Sequence, residues 1–425
     1  MKKSELKQTI IDSKSNLFCL VGPNASGKTY FLNDLFNSLN NALFFHEDGL
    51  VTVSDNRNRI IVHDSFYLYV NDKERGGRIP TGVEQDSINK ESLEIVSFAQ
   101  SVQRQIDTKH LSLGTTKLMH ILNGFIEYNL NNIDYILLDE PENCLDDRNL
   151  KVMVSLVNKL LNNSKTVIMV SHNPRFLELL RISVNDIYVF TKPFIDDIRN
   201  ISFGLVLSVF DNVGSELVQL SEKHPISEHY KYEFLPNTPF RKHYVDVVLH
   251  SYDFYKTLFY PEIIIVEGLT ELYLLKSIQT HLSVSNNYYV SNGKYKIPFL
   301  ISLFSLLCDN VKCFFDTDFK EDGDVSFSNA LTDYIKNKFN NTSKLVFVPT
   351  DIESFLGFDM DEVVAGITEK PSMTKTQKKN FKNRYKEYLC LHLVTTRNDA
   401  RQKIINLFAE DKYDDIFNDY IKAND

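Results

Sequence analysis

A chain of 425 residues with 43% apolar and 24% charged content reads as a soluble globular protein too long for one ordinary core, so two domains are expected. Its net charge of -9 excludes wholesale coating of nucleic acid, which leaves phosphate binding to local basic stretches. The five cysteines form no CxxC pair, and no segment approaches the roughly 18 apolar residues of a membrane span; a cytoplasmic protein with reduced thiols and no membrane partner is expected.

The first predicted strand is LFCLVG, from residue 17. It runs into GPNASGKT and then a helix carrying Phe31, Leu32, Leu35, Phe36 and Leu39 on one face. The octapeptide, Gly22 to Thr29, matches G-x-x-x-x-G-K-[ST] in the strand-to-helix context that the motif requires. Backbone N–H groups of a loop that includes Gly22, Asn24, Ser26 and Gly27 would cradle phosphates. Lys28 would reach the β and γ oxygens, and Thr29 would ligate magnesium.

Paired strands GLVTVS and RIIVHD follow around the turn SDNRN, and residues 93 to 130 are mostly helical. Within that stretch stands LSLGTTK, whose Ser112 and Gly114 could meet a phosphate from a neighbouring molecule. Strand YILLDE then ends in Asp139 and Glu140; one carboxylate can hold magnesium through water and the next can orient and deprotonate an attacking water. Helix VMVSLVNKLL, strand TVIMVS and strand DIYVF complete an α/β order with a small antiparallel annex. Ser171 and His172 fall at the same sheet edge as the acids, where a histidine could sense a γ-phosphate, although a lone strand-end histidine is more often structural.

Residues 195 to 250 have weaker periodicity and read as connecting structure. The rhythm restarts with strand PEIIIVE, helix LYLLKSIQTHL, strand NYYV, turn SNG, helix IPFLISLFSLL, strand VKCFFD, helix NALTDYIKNKF and strand KLVFVP. Three of these strands end in acids: Glu267 and Glu271 in VEGLTE, Asp316 and Asp318 in DTD, Asp351 and Glu353 in TDIES. Clustered on one edge they would repel one another and raise their own pKa values, so oxygen-ligated Mg2+ or Mn2+, two ions in all, would be the natural partners. Two such metals can activate a water and stabilise the leaving oxygen of a phosphodiester. The bland reading is that these are solvated strand ends.

The order GPNxSGKT, LSxG, hhhhDEP, LDD, SH resembles the ATPase head of the ABC superfamily, in the branch of structural-maintenance and RecF-type DNA repair proteins. The resemblance implies Mg2+ and ATP on Lys28, Thr29 and Asp139, Glu140 as general base and His172 as switch histidine. It also implies a homodimer in which Ser112 and Gly114 complete the second protomer's site, with Asp146 between the two. VEGxTE, SNG and DTD behind such a head resemble the Toprim fold of the OLD (overcoming lysogenisation defect) family of ATP-dependent DNA endonucleases, which includes Gabija-type and retron-associated anti-phage effectors. That likeness implies metal and nucleophilic water on Glu267, Glu271, Asp316, Asp318 and Glu353, with Asp351 beside them. It further implies a basic residue near the C-terminus, for which Arg397 stands where lysine is usual, and Lys403 and Arg401 lie nearby. A companion defence protein, reverse transcriptase or RNA is a further implied partner.

The expected fold is thus α/β throughout: an ABC-type P-loop ATPase domain over 1–250, with its connecting segment from about 195, and a Toprim α/β domain over 251–425 with a small basic helical C-terminal part. Within that part, KTQKKNFKNRYKEY is the densest positive stretch and interleaves Phe381 and Tyr385, which suits sequence-independent contact with double-stranded DNA. Two other functions fit the same chain: a nucleotide-gated scaffold for a partner effector, and a RecF-like repair ATPase without nuclease activity.

Overall fold

A computed structural model of the chain describes residues 1–13, 16–54, 90–106, 112–128, 130–191, 197–224, 226, 228–282, 286–317, 326–340, 344–348, 351–357, 374, 377, 390–391 and 394–408. The fold is α/β, and it divides into two compact units, Met1–Ile201 with Leu249–Phe259, and Ser202–Val248 with Tyr260–Asp425. None of the described helices is long and apolar enough to cross a membrane.

The first unit is built on a seven-stranded sheet in the order β3-β2-β4-β5-β1-β6-β7. Its strands are β1 (Leu17–Val21), β2 (Ala42–Phe45), β3 (Val51–Val53), β4 (Tyr135–Asp139), β5 (Thr166–Val170), β6 (Ile187–Phe190) and β7 (Ile198–Arg199). The five central strands are parallel, and the two edges are antiparallel. LFCLV, YILLD and TVIMV are continuous apolar runs because a parallel strand in the middle of such a sheet is covered on both faces. Helices α1 (Lys3–Asp12) and α2 (Lys28–Phe36) share one core with the sheet, α2 contributing Phe31, Leu32 and Leu35. Further along come α3 (Lys90–Gln105), α4 (Leu113–Glu127) and α5 (Asp147–Asn162), and Phe125 of α4 stacks on Phe45 of β2 at 4.6 Å. Helix α6 (Pro174–Leu180) begins with Asn173, whose side chain accepts from the N–H groups of Arg175 and Phe176, and with proline at its first position. Neither α6 nor β2 is foreseen by the sequence reading, and strand RIIVHD lies outside the described residues.

The second unit has a four-stranded parallel sheet in the order β11-β10-β8-β9: β8 (Glu262–Val266), β9 (Tyr288–Val290), β10 (Asn310–Asp316) and β11 (Lys344–Val348). Every strand predicted after residue 250 is present. The segment expected to be a connector is different: it forms α7 (Phe203–Lys223), α8 (Glu228–Phe234) and α9 (Pro239–Leu249), and residues 202–248 belong to this unit rather than to the first. The reason is a buried stripe at Val206, Phe210, Val213 and Leu217, one face of a 3.6-residue helix, which packs on the sheet's covering helix through Phe210 and Phe299, 5.3 Å apart. Fully buried Arg241 of α9 lies 4.2 Å over the same Phe299 ring and donates to the main-chain oxygen of Glu233. That covering helix is α11 (Ile297–Ser305); α10 (Leu269–Ser277), α12 (Phe327–Phe339), α13 (Ile352–Leu356) and α14 (Asn398–Phe408) are further described helices of the unit. Ile404, Leu407 and Phe408 of α14 join Ile264, Phe314 and Val346 in one core cluster.

Candidate functional site

Register brings the first unit's motifs to one edge. Leu20 of β1 pairs with Val170 of β5, and Asp139 of β4 pairs with the same Val170, so Gly22, Glu140 and Ser171 leave the sheet side by side. The loop after β1 is a tight left-handed turn: Gly22 has φ 137°, and a Cβ there would stand 2.3 Å from the Phe190 carbonyl oxygen, so glycine alone fits. Lys28 is buried and donates to the carbonyl oxygens of Gly22 (3.0 Å) and Pro23 (2.8 Å) and to Ser26 Oγ (3.2 Å). Burial lowers its pKa to about 8 against the pull of Glu140 and Asp139. Exposed Thr29 donates its hydroxyl to Asp139 Oδ1 at 3.2 Å, the juxtaposition that a hydroxyl-and-carboxylate magnesium site requires, and Asn24 is exposed on the loop.

Glu140 sits just past β4 with φ 46°, a strained left-handed backbone for a non-glycine residue. Burial, with Glu47, Glu142 and Asp139 adding to it, pushes its carboxyl up to about 7. His172 Nε2 is 3.2 Å from Glu140 Oε1, and burial followed by Lys28 pushes the imidazole down to about 4. The imidazole is therefore neutral at pH 7 while the carboxyl titrates, so this contact is a hydrogen bond rather than an ion pair. A carboxyl titrating near the working pH is suited to taking a proton from water. The pair opens on a cleft of about 390 Å³ that is also lined by Glu142, Asn143, Cys144 and Asn173.

Ser112 caps α4, its side chain accepting from the Thr115 N–H at 3.2 Å, and is exposed at the helix N-terminus. Gly114 is buried against the loop after β4, where a Cβ would stand 2.0 Å from the Cys144 carbonyl oxygen. Backbone cannot swing aside as a side chain does, so Gly114→Ala is expected to cost about 1–3 kcal/mol and to lower the melting temperature by several degrees, read by calorimetry. An unchanged melt would show that α4 and that loop are free to part. Asp146 caps α5 through Asn149 N–H at 2.8 Å, and Asn149 reaches Thr115 at 3.2 Å, so the two loops form one block.

In the second unit Val266 pairs with Phe314, the Glu267 N–H bonds the Phe314 carbonyl at 3.1 Å, and Asp316 pairs with Val348. Glu267, Asp316 and, three residues past β11, exposed Asp351 therefore stand at the carboxyl ends of three adjacent strands. Buried Asp316 accepts from the Ile352 N–H at 3.3 Å. Buried Glu271 accepts from the Gly268 N–H at 2.8 Å, three residues back, and so caps its own helix, a local role separate from its four-residue spacing to Glu267. Glu353 lies in α13, and Asp318 lies outside the described residues, as do Lys375, Lys378, Lys379, Lys382, Arg384 and Lys386. Among the described residues no group of three or more His, Cys, Asp or Glu is arranged to hold a metal ion.

Arg397 precedes α14 and pairs with Asp399 at 2.5 Å on the exposed surface, which raises its own pKa and holds the carboxyl below its usual range. Lys403 donates to the Phe355 carbonyl at 3.0 Å and thus touches α13, whose first N–H bonds Asp316. Buried Lys294, directly after the SNG turn, donates to Ser328 Oγ at 3.3 Å. Among the described residues, buried Lys294, Lys117 and Glu142 lie beside these sites and are not singled out by the sequence. The available signal was a charge within an apolar helical or strand-end context.

No protein-family model matches the chain, and no curated protein does. Among solved structures it is similar to a dimeric ATP-binding cassette in a post-hydrolysis state bound to ADP and Pi, at 20% identity and TM-score 0.26, covering 39% of this chain and 79% of that one. It is also similar to a metal-chelate type ABC transporter in an inward-facing conformation, at 17% identity and TM-score 0.28, covering 45% and 73%. A nucleotide-free ATP-binding cassette from an ABC transporter is similar at 14% identity and TM-score 0.25, covering 39% and 74%.

Proposed function

We propose that the chain is an ATP-hydrolysing, metal-dependent DNA endonuclease of the OLD type, with an ABC-type head in the first unit and a Toprim nuclease in the second, acting in anti-phage defence. One observation carries the reading: a single chain holds two sheets whose parallel strands end in acids, the first beside a lysine-bearing glycine loop. In the first unit Lys28 and the loop N–H groups bind the phosphates, and Thr29 and Asp139 hold Mg2+. Glu140 takes the proton of the attacking water, with His172 fixing the carboxylate. Ser112 and Gly114 meet the nucleotide of a second copy. In the second unit Glu267, Asp316 and Asp351, with Asp318 and Glu353, offer the hard oxygen donors that Mg2+ or Mn2+ prefer; such ions, when bound, polarise the phosphodiester and lower the pKa of water.

A second reading has its own observation. Glu271 is already committed to a helix cap and Arg397 to Asp399, which suits a nucleotide-gated scaffold whose acids are structural. Plasmid DNA incubated with Mg2+ or Mn2+ and ATP, ADP or no nucleotide separates the two. Metal-dependent nicking that responds to nucleotide is the expected result; no cutting under any condition would leave only the scaffold.

A further inference from the structure

Beside the Glu140–His172 pair stand two further buried side chains, Lys117 and Glu142. Lys117, on α4 and 8% exposed, donates to the main-chain oxygen of Glu140 at 2.6 Å. Glu142, 3% exposed, accepts on Oε1 from Ser171 Oγ at 2.6 Å and from the His172 N–H at 2.9 Å. One side chain therefore fixes the backbone from which the carboxylate projects, and the other fixes the backbone from which the imidazole projects. The contact between the two functional groups is 3.2 Å.

We propose that Lys117 and Glu142 are positioning residues for the Glu140–His172 pair. Burying an ammonium and a carboxyl costs several kcal/mol each, and packing alone would be served at least as well by Met and Leu of similar volume. What apolar residues cannot supply is the donor that holds Glu140 at φ 46° and the acceptor that ties Ser171 and His172 to the loop after β4. A displacement of about 1 Å in a general base costs on the order of 100-fold in rate, which gives these bonds a catalytic value separate from stability. Lys117 also stands one helical turn past Gly114, so the carbonyl it grips is tied to the helix whose N-terminus carries Ser112.

This assignment rests on reading the first unit as an ATP-hydrolysing site, and the test keeps the two apart. Steady-state ATP hydrolysis by the full chain is measured for wild type, Lys117→Met, Glu142→Leu, Glu142→Gln and Ser171→Ala, with melting temperatures alongside. Lys117→Met and Glu142→Leu are expected to lose about 10- to 100-fold in kcat with KM for ATP within about twofold. Glu142→Gln keeps the acceptor oxygen and stays within about threefold of wild type; Ser171→Ala, which cannot empty the core, loses about threefold in kcat alone. Unchanged kcat in Lys117→Met and Ser171→Ala, a KM that rises in step with the loss, or a Glu142→Gln as impaired as Glu142→Leu overturns the assignment while the ATPase reading stands. Wild-type protein without ATP turnover overturns the ATPase reading itself, and the positioning roles with it.

Discussion

Lys28→Ala is expected to abolish ATP turnover and to weaken ATP binding by about 30- to 150-fold, the equivalent of roughly 2–3 kcal/mol for a charge-assisted hydrogen-bond donor. The side chain is 4% exposed, and its ammonium is shared among two loop carbonyls and Ser26 Oγ. Burial lowers its pKa to about 8, so the group is still largely protonated at pH 7, and an arriving polyphosphate restores the charged form by supplying the negative partner that burial denies it. Alanine removes the donor and leaves the Gly22 and Pro23 carbonyls facing the loop without it. The loop itself survives, because its shape depends on Gly22 and Gly27 in left-handed backbone rather than on the lysine. Calorimetric titration with ATP and phosphate release, compared at equal melting temperature, read the effect. A variant that hydrolyses ATP at the wild-type rate would remove the phosphate loop from the mechanism.

That loop was legible because its chemistry is contiguous: eight residues supply the turn, the backbone donors and the ammonium, and the strand and helix on either side are strongly patterned. Strands β4, β8 and β10 were legible for a related reason, since a strand covered on both faces is an unbroken apolar run. Long-range roles were not. Lys117 finds Glu140 across 23 positions and Glu142 finds Ser171 across 29, so nothing in either neighbourhood announces the partner. Local ambiguity cost as much elsewhere. Glu271 meets a helix cap three residues from Gly268 and a metal-ligand spacing four residues from Glu267, and Arg397 stands at the expected position while its guanidinium is held by Asp399 two residues on. The helices from Phe203 to Leu249 read as a connector in sequence because Gly204, Gly214 and a proline-containing turn blur a stripe that is apolar only once per turn.

Asp316→Asn should separate the two readings of the second unit with the least disturbance to its fold. Asp316 closes β10, is 6% exposed, and accepts the Ile352 N–H that starts α13. Asparagine has the same shape and keeps an acceptor oxygen for that bond, so the strand end and α13 stay joined and the melting temperature in the presence of a chelator is expected to move by no more than about 2–4 °C, the equivalent of about 1 kcal/mol. What changes is one negative charge at an edge where Glu267 stands on the adjacent strand. If that edge holds Mg2+ or Mn2+, the loss of a hard anionic donor lowers both metal affinity and cleavage, by about 100-fold or more. The wild-type melt then rises with Mn2+, by the equivalent of about 2.7 kcal/mol when the metal is at 100 times its Kd, and the variant's by the equivalent of no more than about 0.4 kcal/mol. If the acids are strand-end and helix-cap residues only, metal leaves both melts unmoved and plasmid cleavage, absent in wild type, is absent in the variant too. Equal metal-induced stabilisation of both proteins together with equal cleavage would assign the metal site to other residues and take Asp316 out of it.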